Sequence, residues 1–105
     1  IMKYLVEIAI TTEAGEAIEA RPGGPGPVIG RMVDRFKPEA VYMALSRRIV
    51  YMVVTLEDDA SMVELMIAAT AFGGAYPTFT PVVGADAFPA VANKAIPAAN
   101  AIVNE

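Results

Sequence analysis

Between Ala40 and Leu56 the chain reads AVYMALSRRIVYMVVTL, two strands closed by a short turn at Ser46-Arg47. The second strand, Arg48 to Leu56, is rich in β-branched and aromatic residues and long enough to be the centre of a sheet. Alternation divides it into two faces. Val50, Met52, Val54 and Leu56 form a wholly apolar set, whereas Ile49, Tyr51, Val53 and Thr55 form a mixed one. The same period-two pattern in KYLVEIAI, Lys3 to Ile10, places Tyr4, Val6, Ile8 and Ile10 on one side. Lys3, Leu5, Glu7 and Ala9 fall on the other. Two such strands ask for helices over their apolar faces and a wetter covering, such as a second subunit, over the mixed ones.

Helical signals fill the intervals. Thr11 or Thr12 can cap a short helix running to Ala20, with Glu13 and Glu16 near its positive end. The RPGGPGP stretch, Arg21 to Pro27, breaks that helix and predicts a turn-rich connection. It lacks both glycine-rich phosphate fingerprints and follows a helix rather than a strand, so a connecting role is the default. An amphipathic helix is expected over Val28 to Lys37, with Met32, Val33 and Phe36 on its apolar stripe and Pro38 as its stop. Ser61 and Glu64 have capping-box spacing, which predicts a helix to about Ala71 ended by Gly73-Gly74. Glu57, Asp58 and Asp59 ahead of it complement a helix dipole. They lack the spaced ligands and glycine of a calcium loop. Tyr76 to Val83 is extended, but Pro77 and Pro81 confine it to a sheet border. Asp86 is the expected cap of a last helix to about Lys94, with Phe88, Val91 and Ala95 on one side. Residues 97–105 are either a helical extension or disordered.

The resulting order is that of a ferredoxin-like βαββαβ unit with a broken first helix and a C-terminal helix, an α+β fold with strand order 4-1-3-2. One domain, residues 2–96, accounts for the 105-residue chain, with 97–105 as its tail. A hydrophobic fraction of 55% is high for so small a body and predicts that a partner chain covers part of it. The longest nearly uncharged run, Ser61 to Ala85, is broken by glycines and prolines and is not a membrane span. No basic segment precedes the first strand, so a signal peptide is not expected and a cytoplasmic location is. The absence of cysteine and histidine removes disulfides, zinc fingers and histidine-based catalysis. A net charge of −4 with no basic run argues against nucleic acid as a partner.

With the MKYLVEI opening and the RFKPEAVYM and FTPVV segments in place, the chain resembles the dimeric α+β-barrel superfamily over residues 2–96. It is similar in particular to a family of short bacterial proteins of unassigned function, distantly muconolactone isomerase-like. The resemblance implies two ferredoxin-like sheets packed face to face in a homodimer. It implies no catalytic residue, because the superfamily spans isomerases, monooxygenases and ligand-binding regulators.

Candidate chemistry therefore comes from the mixed face. Glu7 and Tyr51, with Tyr42 on the adjoining strand, could converge there. An enclosed carboxylate is driven toward its neutral form and can carry a proton, with a tyrosine hydroxyl steadying an oxyanion. A structural bond from Glu7 to a tyrosine, or to Arg47 or Arg48, accounts for the same residues without catalysis. The expected function is the binding of a small hydrophobic molecule in a cavity beside the sheet, with no cofactor and no metal. The alternative is a cofactor-free isomerase or monooxygenase acting on a small aromatic or enol-lactone compound through Glu7 and a tyrosine.

Overall fold

Strands β1 (Met2–Ala9) and β3 (Ile49–Leu56) lie side by side and antiparallel, and they form the middle of a four-stranded sheet. The computed structural model describes residues 1–104 of the chain. Strand β2 (Ala40–Met43) flanks β3, and β4 (Thr78–Val82) flanks β1, giving the order β2-β3-β1-β4. Read from the β4 edge, this is 4-1-3-2. The helices are α1 (Thr12–Glu19), α2 (Gly26–Phe36), α3 (Asp59–Gly73) and α4 (Phe88–Val103).

Alternation decides the core. Val6, Ile8, Val50, Met52 and Val54 have no exposed surface, and Leu56 has almost none. These residues meet Ile18 of α1, Met32 of α2, and Leu65, Ala69 and Phe72 of α3. Tyr4 and Phe79 pack against the core edge-to-face, with ring centroids 5.9 Å apart. The apolar stripe of α2 thus buries Met32 against the sheet, and its solvent side reaches α3. There the guanidinium of Arg35 forms a fork on Glu64, with Nε–Oε2 and Nη2–Oε1 both at 2.9 Å.

Several boundaries differ from those expected, each for a local reason. Helix α2 begins at Gly26, so part of the RPGGPGP stretch is helical; Pro27 sits in the first turn, where its missing donor is not needed. It ends at Lys37, which takes the left-handed conformation with φ 50° and donates its N–H to Val33 O just ahead of Pro38. Helix α3 is capped by Asp58, three residues before Ser61. The Asp58 carboxylate accepts from both the backbone N–H and the hydroxyl of Ser61, each at 2.8 Å. An acidic cap wins here because its charge also meets the positive end of the helix. Asp86 does not cap the last helix; α4 starts at Phe88 without a side-chain cap and runs through Pro97 to Val103. Residues 97–103 are therefore helical, and Glu105 lies outside the described residues.

Two glycines mark close approaches. A Cβ on Gly73 would stand 2.7 Å from Ala9 O, where Thr11 N–H donates to Gly73 O at 2.8 Å. Gly74 closes α3 with φ 77° beside the Thr11 side chain, which itself caps α1. The end of β1 is thereby fastened to the C-terminus of α3.

Met52→Asp is expected to abolish folding. A buried, unpaired carboxylate costs several kcal/mol, against a total stability of about 5–15 kcal/mol. A soluble Met52→Asp chain that melts cooperatively would contradict the assignment of faces. The Asp58 cap carries a pH signature. Its bonds from Ser61 hold its pKa below the ordinary 3.8. A depressed carboxylate contributes stability that is complete above the unfolded pKa and is lost as pH falls through the folded one. Asp58→Ala should therefore lower the melting temperature by a constant few degrees between pH 5 and pH 8, and the difference should shrink below about pH 4. Thermal melts of both chains across that range check it.

Candidate functional site

All three helices that pack on the sheet lie over one face, and the opposite face has no covering element of its own. Directly paired residues of an antiparallel sheet share a face, with Cβ atoms about 5 Å apart. The register then fixes the rows. Tyr42 pairs with Tyr51, Tyr51 with Glu7, and Glu7 with Thr78, so one row crosses all four strands. The next row on the same face is Ala40, Val53, Leu5 and Thr80. Ile49 and Ala9 close the row on the other side. A single carboxylate thus stands between two phenols and a threonine hydroxyl, bordered by aliphatic side chains.

The three candidate residues Glu7, Tyr51 and Tyr42 are brought together by this register. Glu7 and Tyr51 are half-buried by their neighbours, whereas Tyr42, on the short border strand, is 68% exposed. No hydrogen bond or ion pair engages any of them among the described residues. Their chemistry is unspent. A carboxylate can accept a hydrogen bond or a proton, and the adjacent phenols can donate to an oxygen held beside it.

Of the two arginines expected as a partner of Glu7, Arg47 makes no ion pair among the described residues and Arg48 is engaged elsewhere. Arg48 donates to Glu19 Oε1 at 3.0 Å and to Thr12 O at 3.3 Å, fastening the β3 entry to α1. Its side chain lies across Gly15, where a Cβ would come within 2.7 Å of Arg48 Cδ. Gly15 is buried, and this explains a glycine inside a helix: α1 has a notch for the arginine. The reason is one of alternation. Arg48 precedes the strand and emerges on the helix side, away from Glu7. Lys3, on the same face as Glu7, is taken by Glu39 at 2.8 Å.

Clefts occur elsewhere on the surface. One is lined by Arg35, Phe36, Glu39, Leu56 and Ser61, and another runs between α2 and α3 past Val28, Met32, Phe36 and Ala68. In the first, the Ser61 hydroxyl is held by Asp58, Arg35 by Glu64 and Glu39 by Lys3, and no group of metal donors forms among the described residues. Sequence reasoning left the extent of α4 open between a helical extension and disorder. It carries Ile96, Ile102 and Val103 beyond Phe88 and Val91, and all five are exposed. The structure takes the helical alternative, with α4 continuing through Pro97 to Val103.

No helix is long and apolar enough to cross a membrane among the described residues. Compared with protein-family models, curated proteins and solved structures, the chain gives no match.

With Lys3 and Arg48 held by other carboxylates and Arg47 making no ion pair with Glu7, Glu7→Gln strands no charge. It is expected to keep or slightly raise the melting temperature at pH 7. A fall of several degrees would identify Glu7 as an arginine counter-ion and remove it from the candidate site.

Proposed function

We propose that the protein is a homodimer of the dimeric α+β-barrel kind, in which the uncovered sheet faces of two copies enclose a chamber for a small, largely hydrophobic molecule. The observation that carries this reading is the row Tyr42–Tyr51–Glu7–Thr78, flanked by Leu5, Val53, Ala40 and Ile49. Apolar walls around a few convergent polar groups are the usual composition of a small-molecule site. Strand order 4-1-3-2 and the packing of α1, α2 and α3 on one face support the ferredoxin-like description on which such dimers are built. In a face-to-face pair the two sheets contribute one such row each. A ligand in the chamber would be apolar over most of its surface and carry one oxygen, which the phenols and the carboxylate address.

A second reading is catalytic, and one observation favours it: Glu7 and Tyr51 are directly opposite, and neither side chain is engaged in a hydrogen bond or ion pair among the described residues. Glu7 would take a proton from a carbon beside a carbonyl, and Tyr51 would donate a hydrogen bond to the enolate oxygen. Return of the proton at a different carbon of the same molecule completes an isomerisation without a cofactor. A monooxygenase on the same groups would need dioxygen as co-substrate. Binding and catalysis are separated by Glu7→Gln, which leaves the walls of the chamber intact. A pure binding protein keeps its ligand, whereas an isomerase loses turnover by orders of magnitude.

Sedimentation velocity tests the enclosure. The wild-type chain should run as a dimer at micromolar concentration, and Val53→Asp, with a charge amid the uncovered face, should run as a folded monomer. Native mass spectrometry should find a small molecule retained by the dimer and absent from the Val53→Asp chain. A wild-type monomer, or a dimer indifferent to Val53→Asp, would refute the face-to-face arrangement.

A further inference from the structure

Helix α4 is sixteen residues long and buries none of them. At 100° per residue, Phe88, Val91, Ile96, Ile102 and Val103 fall within an arc of about 140°, with alanines filling the gaps. Asn93, Lys94, Pro97 and Asn100 fall on the opposite side. An apolar stripe of that width is the kind that faces a core, yet its large side chains are 51–81% exposed. The helix does not lie on its own domain. The molecule measures 59 × 27 × 25 Å with a radius of gyration of 17.2 Å. A compact chain of this length would have about 13 Å, and sixteen helical residues span about 24 Å of the long axis.

The surface shows how large a covering is missing. The accessible area is 7133 Å², where a compact monomer of 11.1 kDa would expose about 5,600 Å². The excess of about 1,500 Å² exceeds the roughly 800 Å² that each partner contributes to a standard stable interface. Chemistry narrows the occupant. Lys94 is the one charged residue of α4, so the polar side lacks the basic row of a helix that lies on an anionic membrane. A near-neutral apolar helix meets a near-neutral apolar surface. This chain has apolar side chains to offer around its β2 edge, Tyr42 on the uncovered face, Met43 on the helix-covered face and Leu45 in the turn beside Arg47, and they stand 68%, 50% and 103% exposed.

We propose that α4 is an arm exchanged between two copies of this chain, its apolar side lying along the β2 edge and hairpin tip of the second copy. The inference takes its target edge from the face-to-face pairing proposed above. A two-fold axis along the strands in that pairing sets the β4 edge of each copy over the β2 edge of the other. Helix α4 leaves from β4 through the short Val83–Ala87 connection, so it starts beside that edge. Each copy gives one arm and receives one, and the closed pair leaves neither arm uncovered.

The test places a photoreactive residue in the arm of the full-length chain, Phe88→p-benzoylphenylalanine, and irradiates the protein at micromolar concentration. The expected product is a covalent species of twice the chain mass, with the adduct mapped to residues 42–45 of the other copy. Adducts confined to the same chain, in a sample that sediments as a dimer, overturn the exchange and leave the face-to-face pairing standing. A sample that sediments as a monomer removes the pairing itself, and the exchange with it. An independent measurement uses Val91→Asp with Ile102→Asp, which leaves the sheet domain untouched. The dimer dissociation constant should rise about tenfold or more; an unchanged constant overturns the arm.

Discussion

The pairing of β1 with β3 is the constraint from which the rest of the structure follows. Eight consecutive residues of each strand are in register, from Met2 opposite Leu56 to Ala9 opposite Ile49. That register puts Val6 and Ile8 beside Met52 and Val50, all without solvent exposure, and they share one buried cluster with residues of α1, α2 and α3. A slip of one residue would turn Glu7 and Tyr51 inward and expose Met52. The same pairing therefore fixes both the core and the opposite face, because in a strand the two are the odd and even positions of one segment.

Most of this was legible in the sequence, for a physical reason. Period two is unambiguous when a whole face is aliphatic, as in Val50, Met52, Val54 and Leu56. The border position of the proline-bearing strand was legible too, since Pro77 and Pro81 cannot serve a neighbour on both sides. Helix ends were less legible because several residues compete for each. Asp58, Asp59 and Ser61 can all cap, and the choice fell on the carboxylate that bonds both the amide and the hydroxyl of Ser61. Pro97 left residues 97–105 open between helix and disorder because proline usually breaks a helix interior. In α4 it falls on the polar side, where the carbonyl it leaves without a partner is open to water.

The candidate site was legible as a set of residues and not as a geometry. Alternation alone put Glu7 and Tyr51 on one face, but only the register shows them as direct neighbours, with Tyr42 and Thr78 in line. The partner assignment failed at Arg48, which leaves the sheet on the helix side and is absorbed by Gly15, Thr12 and Glu19. No pattern of hydrophobicity announces such a notch; its trace in the sequence is an otherwise unfavourable glycine within the Thr12–Glu19 helix.

The prolines of the β4 segment have a consequence beyond their position. A sheet with open borders can grow by adding strands in the hydrogen-bonding direction, which is the route to fibrous assemblies. Here one border is interrupted by Pro81, which has no backbone N–H to give, and the other, β2, offers only the four residues Ala40–Met43. Growth of the sheet by strand addition is blunted at both ends. What association the chain makes is left to side-chain surfaces, and surfaces of fixed shape can close into assemblies of definite number.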